Sequence, residues 1–147
     1  MKEDEFMNKC PLCMEAGGVE VARNPTWRVI RATEDANFPA FYRLIWNEHV
    51  AEFSDLDAAD RRTCIEAVTC VERALRQSLQ PTKINLATLG NVVPHLHWHV
   101  IARFDWDSHF PNPVWGAARR EVPGGAEGRL PLTLLELDAR VAAALAS

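Results

Sequence analysis

In the run His95-Leu96-His97-Trp98-His99-Val100 imidazoles and apolar side chains alternate one for one. Successive side chains of an extended strand point to opposite faces, so as a strand this run carries three rings on one face and Leu96, Trp98 and Val100 on the other. A polar face is thereby backed by a core face. Same-face neighbours stand roughly 7 Å apart along a strand rising about 3.3 Å per residue, wide enough to hold a phosphate between rings. Val, Trp, Leu and Ile suit a half-buried strand, and continuation through Ile101-Ala102-Arg103-Phe104 puts Arg103 on the histidine side.

Three chemistries compete for such a face. Histidines two apart can ligate a metal, can act as nucleophile and proton carriers, or can form a solvated polar surface with no task. Three of the chain's five histidines within five residues favour a site over the solvated surface, because titratable clusters concentrate at functional sites. A metallohydrolase gathering His95, His97 and His99 around one catalytic ion is the weaker version, since ligand bonds of about 2.1 Å are hard to meet from three alternate strand positions.

Length and composition describe one ordinary globular unit: 147 residues, 48% hydrophobic and 24% charged. A net charge of -4 argues against a nucleic-acid polymer or an anionic membrane as partner. Thirteen of the sixteen basic residues are nevertheless arginine, which suits bidentate contacts to a small phosphate ligand. No apolar stretch approaches the roughly 18 residues of a membrane span, and Met1-Lys2-Glu3-Asp4-Glu5 is acidic, so a cytoplasmic location is expected.

Four cysteines do not make a disulfide scaffold. Cys64 and Cys70 are six apart on a predicted helix, point in different directions and read as small core residues. Cys10 and Cys13 have the two-residue gap that lets two thiolates reach one zinc. A reduced metal-free pair and a redox Cys-x-x-Cys are the alternatives. The redox version is disfavoured because Met14-Glu15-Ala16-Gly17-Gly18 does not open a helix of a βαβ unit.

Along the chain, residues 1–25 read as a cysteine knuckle and lead-in with turns at Gly17-Gly18 and Asn24-Pro25. Trp27–Ala32 and Phe41–Trp46 read as an antiparallel hairpin. Ser54-Asp55-Leu56-Asp57 opens a central helix whose apolar positions Cys64, Ile65, Val68, Val71, Leu75 and Leu79 recur at helical spacing until Pro81. Lys83–Leu89 is a third strand, Gly90-Asn91 a turn, and Pro94 opens the histidine strand. Residues 105–116 read as loop, in which His109 is a surface histidine and Trp106 and Trp115 either cover a base or, the favoured reading, pack against the sheet. Thr133 with Glu136 caps a final helix with an apolar stripe Leu134, Leu137, Val141 and Leu145 that serves core or dimer packing.

The segment His95-Leu96-His97-Trp98-His99-Val100-Ile101 resembles the His-φ-His-φ-His-φ-φ signature of the histidine triad (HIT) superfamily. The resemblance covers about residues 10–104, with 105–147 as a variable extension of a single HIT-like domain. It implies an α+β fold: an antiparallel sheet of about five strands with a central helix and a C-terminal helix, assembled as a homodimer. It further implies a nucleotide hydrolase in which His97 attacks the α-phosphorus of a nucleoside phosphate derivative, such as a dinucleoside polyphosphate, and forms a covalent nucleotidyl-histidine. His99 would then donate to the phosphate, while Asn85 and Asn91 would contact phosphate and ribose. Neutral imidazole, with an ordinary pKa of about 6.5, is suited to the attack because no separate base must deprotonate it.

Some members of the superfamily carry two cysteines, a histidine after the second hairpin strand and the first triad histidine as a zinc set. By that resemblance His49 and His95 complete a structural zinc site with Cys10 and Cys13. His95 then anchors the strand of His97 rather than taking part in the chemistry. One departure stands out: many relatives have a hydroxyl residue three positions before the first triad histidine, and this chain has Val92 there. Valine donates no proton, which favours leaving groups already stable as anions. Two other readings are a nucleotidyltransferase with a non-water acceptor and a non-catalytic nucleotide sensor.

Overall fold

The structure, a computed structural model, describes residues 9–147. The acidic stretch Met1–Glu5 lies outside the described residues. After Cys10 a single helical turn, α1 (Pro11–Met14), places proline at its first position, where a missing amide donor costs nothing. Five strands follow: β1 (Val19–Arg23), β2 (Trp27–Arg31), β3 (Phe41–Trp46), β4 (Lys83–Ala87) and β5 (His97–Arg103). They form one antiparallel sheet in the order β1-β2-β3-β5-β4.

β1 corrects the expectation of an unstructured lead-in. The strand is short, mostly exposed and at the sheet edge, so it has no strong alternation to read. Gly18 lets it approach β2: a Cβ there would lie 2.5 Å from the Arg31 carbonyl oxygen.

The central helix α2 (Ala58–Leu79) begins later than Ser54 suggests. Asp57 is its cap, its carboxylate accepting from Asp60 N–H at 2.8 Å, while Phe53–Asp55 forms a separate 3₁₀ turn. α2 ends at Gln80 in the left-handed region, one residue before Pro81. The C-terminal helix α3 (Leu134–Ala146) carries the capping box of Thr133 and Glu136.

α2 and α3 cover one face of the sheet. Their Cys64, Val68, Val71, Leu75, Leu137 and Val141 pack with Val29, Tyr42, Leu44, Leu96, Val100 and Ala102. Asp138 ties α3 to the sheet by accepting from Arg31 Nε at 2.9 Å and Tyr42 O–H at 2.6 Å. Cys70, unlike Cys64, is only half buried. The opposite face carries a smaller cluster of Cys10, Leu12, Ile30, Phe38, Phe41, Ile45 and Ile101, and this is the face of the triad rings. β3 is therefore buried on both sides, which is why Phe41-Tyr42-Arg43-Leu44-Ile45-Trp46 is nearly continuously apolar. No described helix is long and apolar enough to cross a membrane.

Candidate functional site

The alternation of the histidine run holds from His97 onward, but the strand does not begin at Pro94. β5 starts at His97, and His95 lies in the bend before it. Two backbone hydrogen bonds shape this bend. Trp46 N–H donates to Leu96 O at 3.1 Å and Leu96 N–H donates to Val50 O at 2.8 Å, which brings the end of β3, with His49, alongside His95.

His95 is fully buried, and its Nε2–H donates to Trp46 O at 2.6 Å. The neutral ring then has its lone pair on Nδ1, which points at Cys10 Sγ (3.4 Å), Cys13 Sγ (3.4 Å) and His49 Nδ1 (3.1 Å). Cys13 Sγ is 3.2 Å from His49 Nδ1. Four donors thus converge, all within 4.8 Å of one another, and they form a cluster able to hold a metal ion. Tetrahedral zinc with bonds of about 2.05 Å to nitrogen and 2.3 Å to sulfur would separate its nitrogen donors by about 3.3 Å and nitrogen from sulfur by about 3.6 Å. The four edges above match to within a few tenths of an ångström. Burial first, then Cys10, push the Cys13 thiol up to about 11 when no cation is present, and a bound divalent ion would supply the charge that two thiolates need there. Among the described residues this is the group of donors that converges; the three triad histidines do not.

Arg28 supports the knuckle from β2. Its buried guanidinium donates from Nη2 to Leu12 O (2.7 Å) and Glu15 O (2.9 Å) and from Nε to Ala16 O (3.2 Å), closing the carbonyl end of α1.

His97 Nδ1–H donates to the carbonyl of His95 at 2.6 Å, leaving Nε2 as the unprotonated nitrogen. Burial above all, with a contribution from Arg43, lowers its pKa below the ordinary imidazole value, against the raising effect of the His95 carbonyl. His99 pairs across the sheet with Arg43, whose Nε donates to His99 Nδ1 at 3.3 Å. The proton of neutral His99 is therefore on Nε2. Burial, His97 and Arg43 together lower its pKa to about 3.

The rings of His97 and His99 meet edge to face at 5.0 Å and both line a cleft of about 690 Å³. The knuckle supplies one wall through Pro11 and Leu12, and the turn before the triad supplies another through Gly90, Asn91 and Val92. Asn91 is thus at the cleft, whereas Asn85 is not among its lining residues. On β4, Asn85 instead accepts from Arg103 Nη1 at 2.9 Å. Val92 is 93% exposed at the cleft edge. Nearby Thr88 offers no substitute hydroxyl, because its Oγ1 donates to His97 O at 2.7 Å.

Arg43 is a site residue absent from the sequence expectations, and Trp115 takes the less favoured of its two expected places, over the cleft rather than on the sheet. The signal for Arg43 is its position inside the apolar β3 run. Trp115 is 52% exposed, lines the cleft and meets His99 at 5.1 Å. Trp106 does pack, stacking on Phe104 under Arg129. His109 is half buried, edge-on to Phe38 and hydrogen-bonded to Ser108 Oγ at 2.7 Å.

The loop that brings Trp115 to the cleft hangs on buried Arg103. Its guanidinium clasps Asp107 at 2.9 and 3.1 Å and donates to Asn112 O at 2.7 Å. Asp107 also accepts from the N–H groups of Phe104, His109 and Phe110.

The family model of the HIT domain matches residues 21–106. The chain belongs to the HIT family. HIT proteins form a superfamily of nucleotide-binding hydrolases and transferases, and solved HIT structures share this fold across most of its length. A histidine triad protein from Bradyrhizobium japonicum is 28% identical over 90% of this chain and 91% of its own, with a TM-score of 0.67. One from Sinorhizobium meliloti is 26% identical over 92% and 96%, with a TM-score of 0.69. A zinc-bound HIT family protein from Mycobacterium smegmatis is 19% identical over 95% of each chain, with a TM-score of 0.61. No curated protein matches this HIT chain by sequence.

Proposed function

We propose that the chain is a nucleotide hydrolase working through a covalent nucleotidyl-histidine on His97. The observation that carries this reading is the 2.6 Å hydrogen bond from His97 Nδ1 to the His95 carbonyl, which makes Nε2 the nitrogen with a lone pair at the cleft. In the first step that lone pair forms a bond to the α-phosphorus as the bond to the bridging oxygen breaks, and the electron pair leaves on the departing phosphate. His99 Nε2–H is a donor to the phosphoryl oxygens, and the Arg43 charge beside it offsets the charge that builds there. Water then cleaves the phosphorus–nitrogen bond and returns His97 to its starting state.

Asn91 is assigned to substrate contact at the cleft mouth. Asn85 would join it only by exchanging its hydrogen bond to Arg103. The exposed Val92 at the leaving-group edge supports leaving groups that are stable without a proton, such as the polyphosphate end of a dinucleoside polyphosphate. Cys10, Cys13, His49 and His95 would hold a structural zinc, which when bound supplies the charge that keeps both thiolates ionised. Residues 10–104 would form the catalytic part and 105–147 its extension, in a cytoplasmic homodimer.

Alkaline denaturing quench of the protein with an adenylated substrate, followed by mass spectrometry at neutral to basic pH, should find an acid-labile adduct on His97. His97→Ala should fold normally, show no adduct and lose turnover by about 10⁴-fold or more. An active His97→Ala protein would overturn the assignment.

A further inference from the structure

On the histidine face two arginines are committed to structure. Arg28 is bound to three carbonyls of the knuckle, and Arg103 to Asp107, Asn85 and Asn112. Among the described residues that line the cleft, Arg43 alone carries a fixed positive charge, and Glu15 and Glu34 line the same cleft. A phosphate entering beside His97 and His99 therefore meets one cation, and that cation already has an anionic partner.

The two sides of that pair are held very differently. Strand register sets Arg43 directly across from His99, where Nε–H donates to His99 Nδ1 at 3.3 Å and the guanidinium lies over the Phe41 ring at 5.1 Å. Nη1–H donates to Glu34 at 2.6 Å. The Arg43 side chain is 19% exposed and that of Glu34 61%, so the carboxylate can turn into water at little cost while His99 and Phe41 keep the arginine in place. A guanidinium presents five N–H donors in a fixed fork, and among the described residues no protein group accepts from Nη2. A phosphate oxygen can thus take the place of Glu34 on the Nη groups and leave the bond from Nε to His99 intact.

We propose that Arg43 is a catalytic residue in direct contact with the substrate phosphate, and that Glu34 is its displaceable counter-ion in the free site. This inference rests on the hydrolase reading and deepens it by adding a third group to the phosphate site. Glu34 weakens the hold of the resting cleft on phosphate; once substrate has exchanged with it, the arginine charge faces the phosphoryl oxygens on which negative charge builds. The exchange breaks one charge-assisted hydrogen bond and forms another, and no proton moves. Throughout, Nε holds His99 with its Nε2–H as the donor.

The test is a double-mutant cycle on equilibrium binding of adenosine or guanosine 5′-monophosphate, whichever the wild-type protein binds more tightly, with the matching nucleoside as the phosphate-free control. Arg43→Met should weaken nucleotide binding about tenfold or more and nucleoside binding by less than about twofold, with Arg43→Lys falling between it and wild type. Glu34→Gln should tighten nucleotide binding about 3- to 10-fold, because it leaves the arginine free. In the Arg43→Met background the same Glu34→Gln substitution should change the affinity by less than about twofold. If Arg43→Met does not fold, Arg43→Gln carries the cycle. A tightening that persists without Arg43 would mean that Glu34 acts by direct repulsion, and wild-type nucleotide affinity in Arg43→Met would remove Arg43 from the phosphate; either result overturns the proposal alone. Failure of both mononucleotides to bind the wild-type protein would instead sink the hydrolase reading and this proposal with it.

Discussion

The ring of His97 is held by the backbone of His95, Nδ1–H to carbonyl oxygen at 2.6 Å, while the ring of His95 is held by Trp46 O and turned toward two cysteines and His49. One residue therefore joins the candidate metal cluster to the nitrogen proposed as nucleophile. Its ring faces the four donors and its carbonyl faces His97.

From that link we expect His95→Ala to act on both sides. The substituted residue keeps its carbonyl but loses the tether that orients it. Metal content should fall below one ion per chain, and kcat should drop about 10- to 100-fold, as is usual when groups orienting a site are lost, while nucleotide affinity changes much less. Metal analysis with parallel kcat and Kd measurements checks this; full activity without metal would separate the two sites.

Arg28 closes the carbonyl end of α1 without touching any of the four metal-cluster donors. Arg28→Met should weaken zinc binding about 10- to 100-fold, and Arg28→Lys, which keeps the charge but not the fork, should fall between it and wild type. Competition against a chromophoric chelator measures the difference. Unchanged affinity in Arg28→Met would show that the knuckle holds itself.

Activity should persist unusually far into acid. In the proposed mechanism the neutral form of His97 attacks, and burial moves its pKa below the ordinary value of about 6.5. The acid limb of kcat/KM should therefore lie below pH 6.5. Stability behaves differently: His99 takes up its proton near 3 when folded but near about 6.5 when unfolded, so the stability it contributes is whole above pH 6.5 and declines as pH falls toward 3. Urea midpoints across that window should fall less steeply in His99→Asn than in wild type.

Removing one partner of a buried ion pair strands the other, at a typical cost of about 3–5 kcal/mol. Arg103 and Asp107 are each 2% exposed, so Asp107→Ala should lower the urea midpoint by a corresponding amount. It should also release the loop carrying Trp115, seen as a red shift in tryptophan emission. The Asp107 carboxylate is opposed by burial, but Arg103 and three backbone N–H groups outweigh this and depress its pKa. Its contribution is present above the unfolded value of about 3.9 and is lost as pH falls through the lower folded value. An Asp107→Ala protein as stable as wild type would show the pair to be replaceable by solvent.

Local periodicity made a large share of this protein legible in one dimension. Alternation at His97–Arg103 sorted rings from core residues, 3.6-residue spacing marked α2, and Thr133 with Glu136 marked the start of α3, because side-chain direction follows directly from backbone repeat. The Cys10–Cys13 gap likewise announced two ligands of one ion, while their partners His49 and His95 came by resemblance. β1 was hidden because an exposed edge strand has little pattern to show. The departure of His95 from the strand depends on hydrogen bonds to Trp46 and Val50, about fifty residues away in the chain. Arg43 beside His99, Trp115 over the cleft and Asn85 bound to Arg103 were settled by strand register and by a loop clasped to a buried guanidinium. Contacts of that kind join distant parts of the chain, and no spacing within a short segment records them.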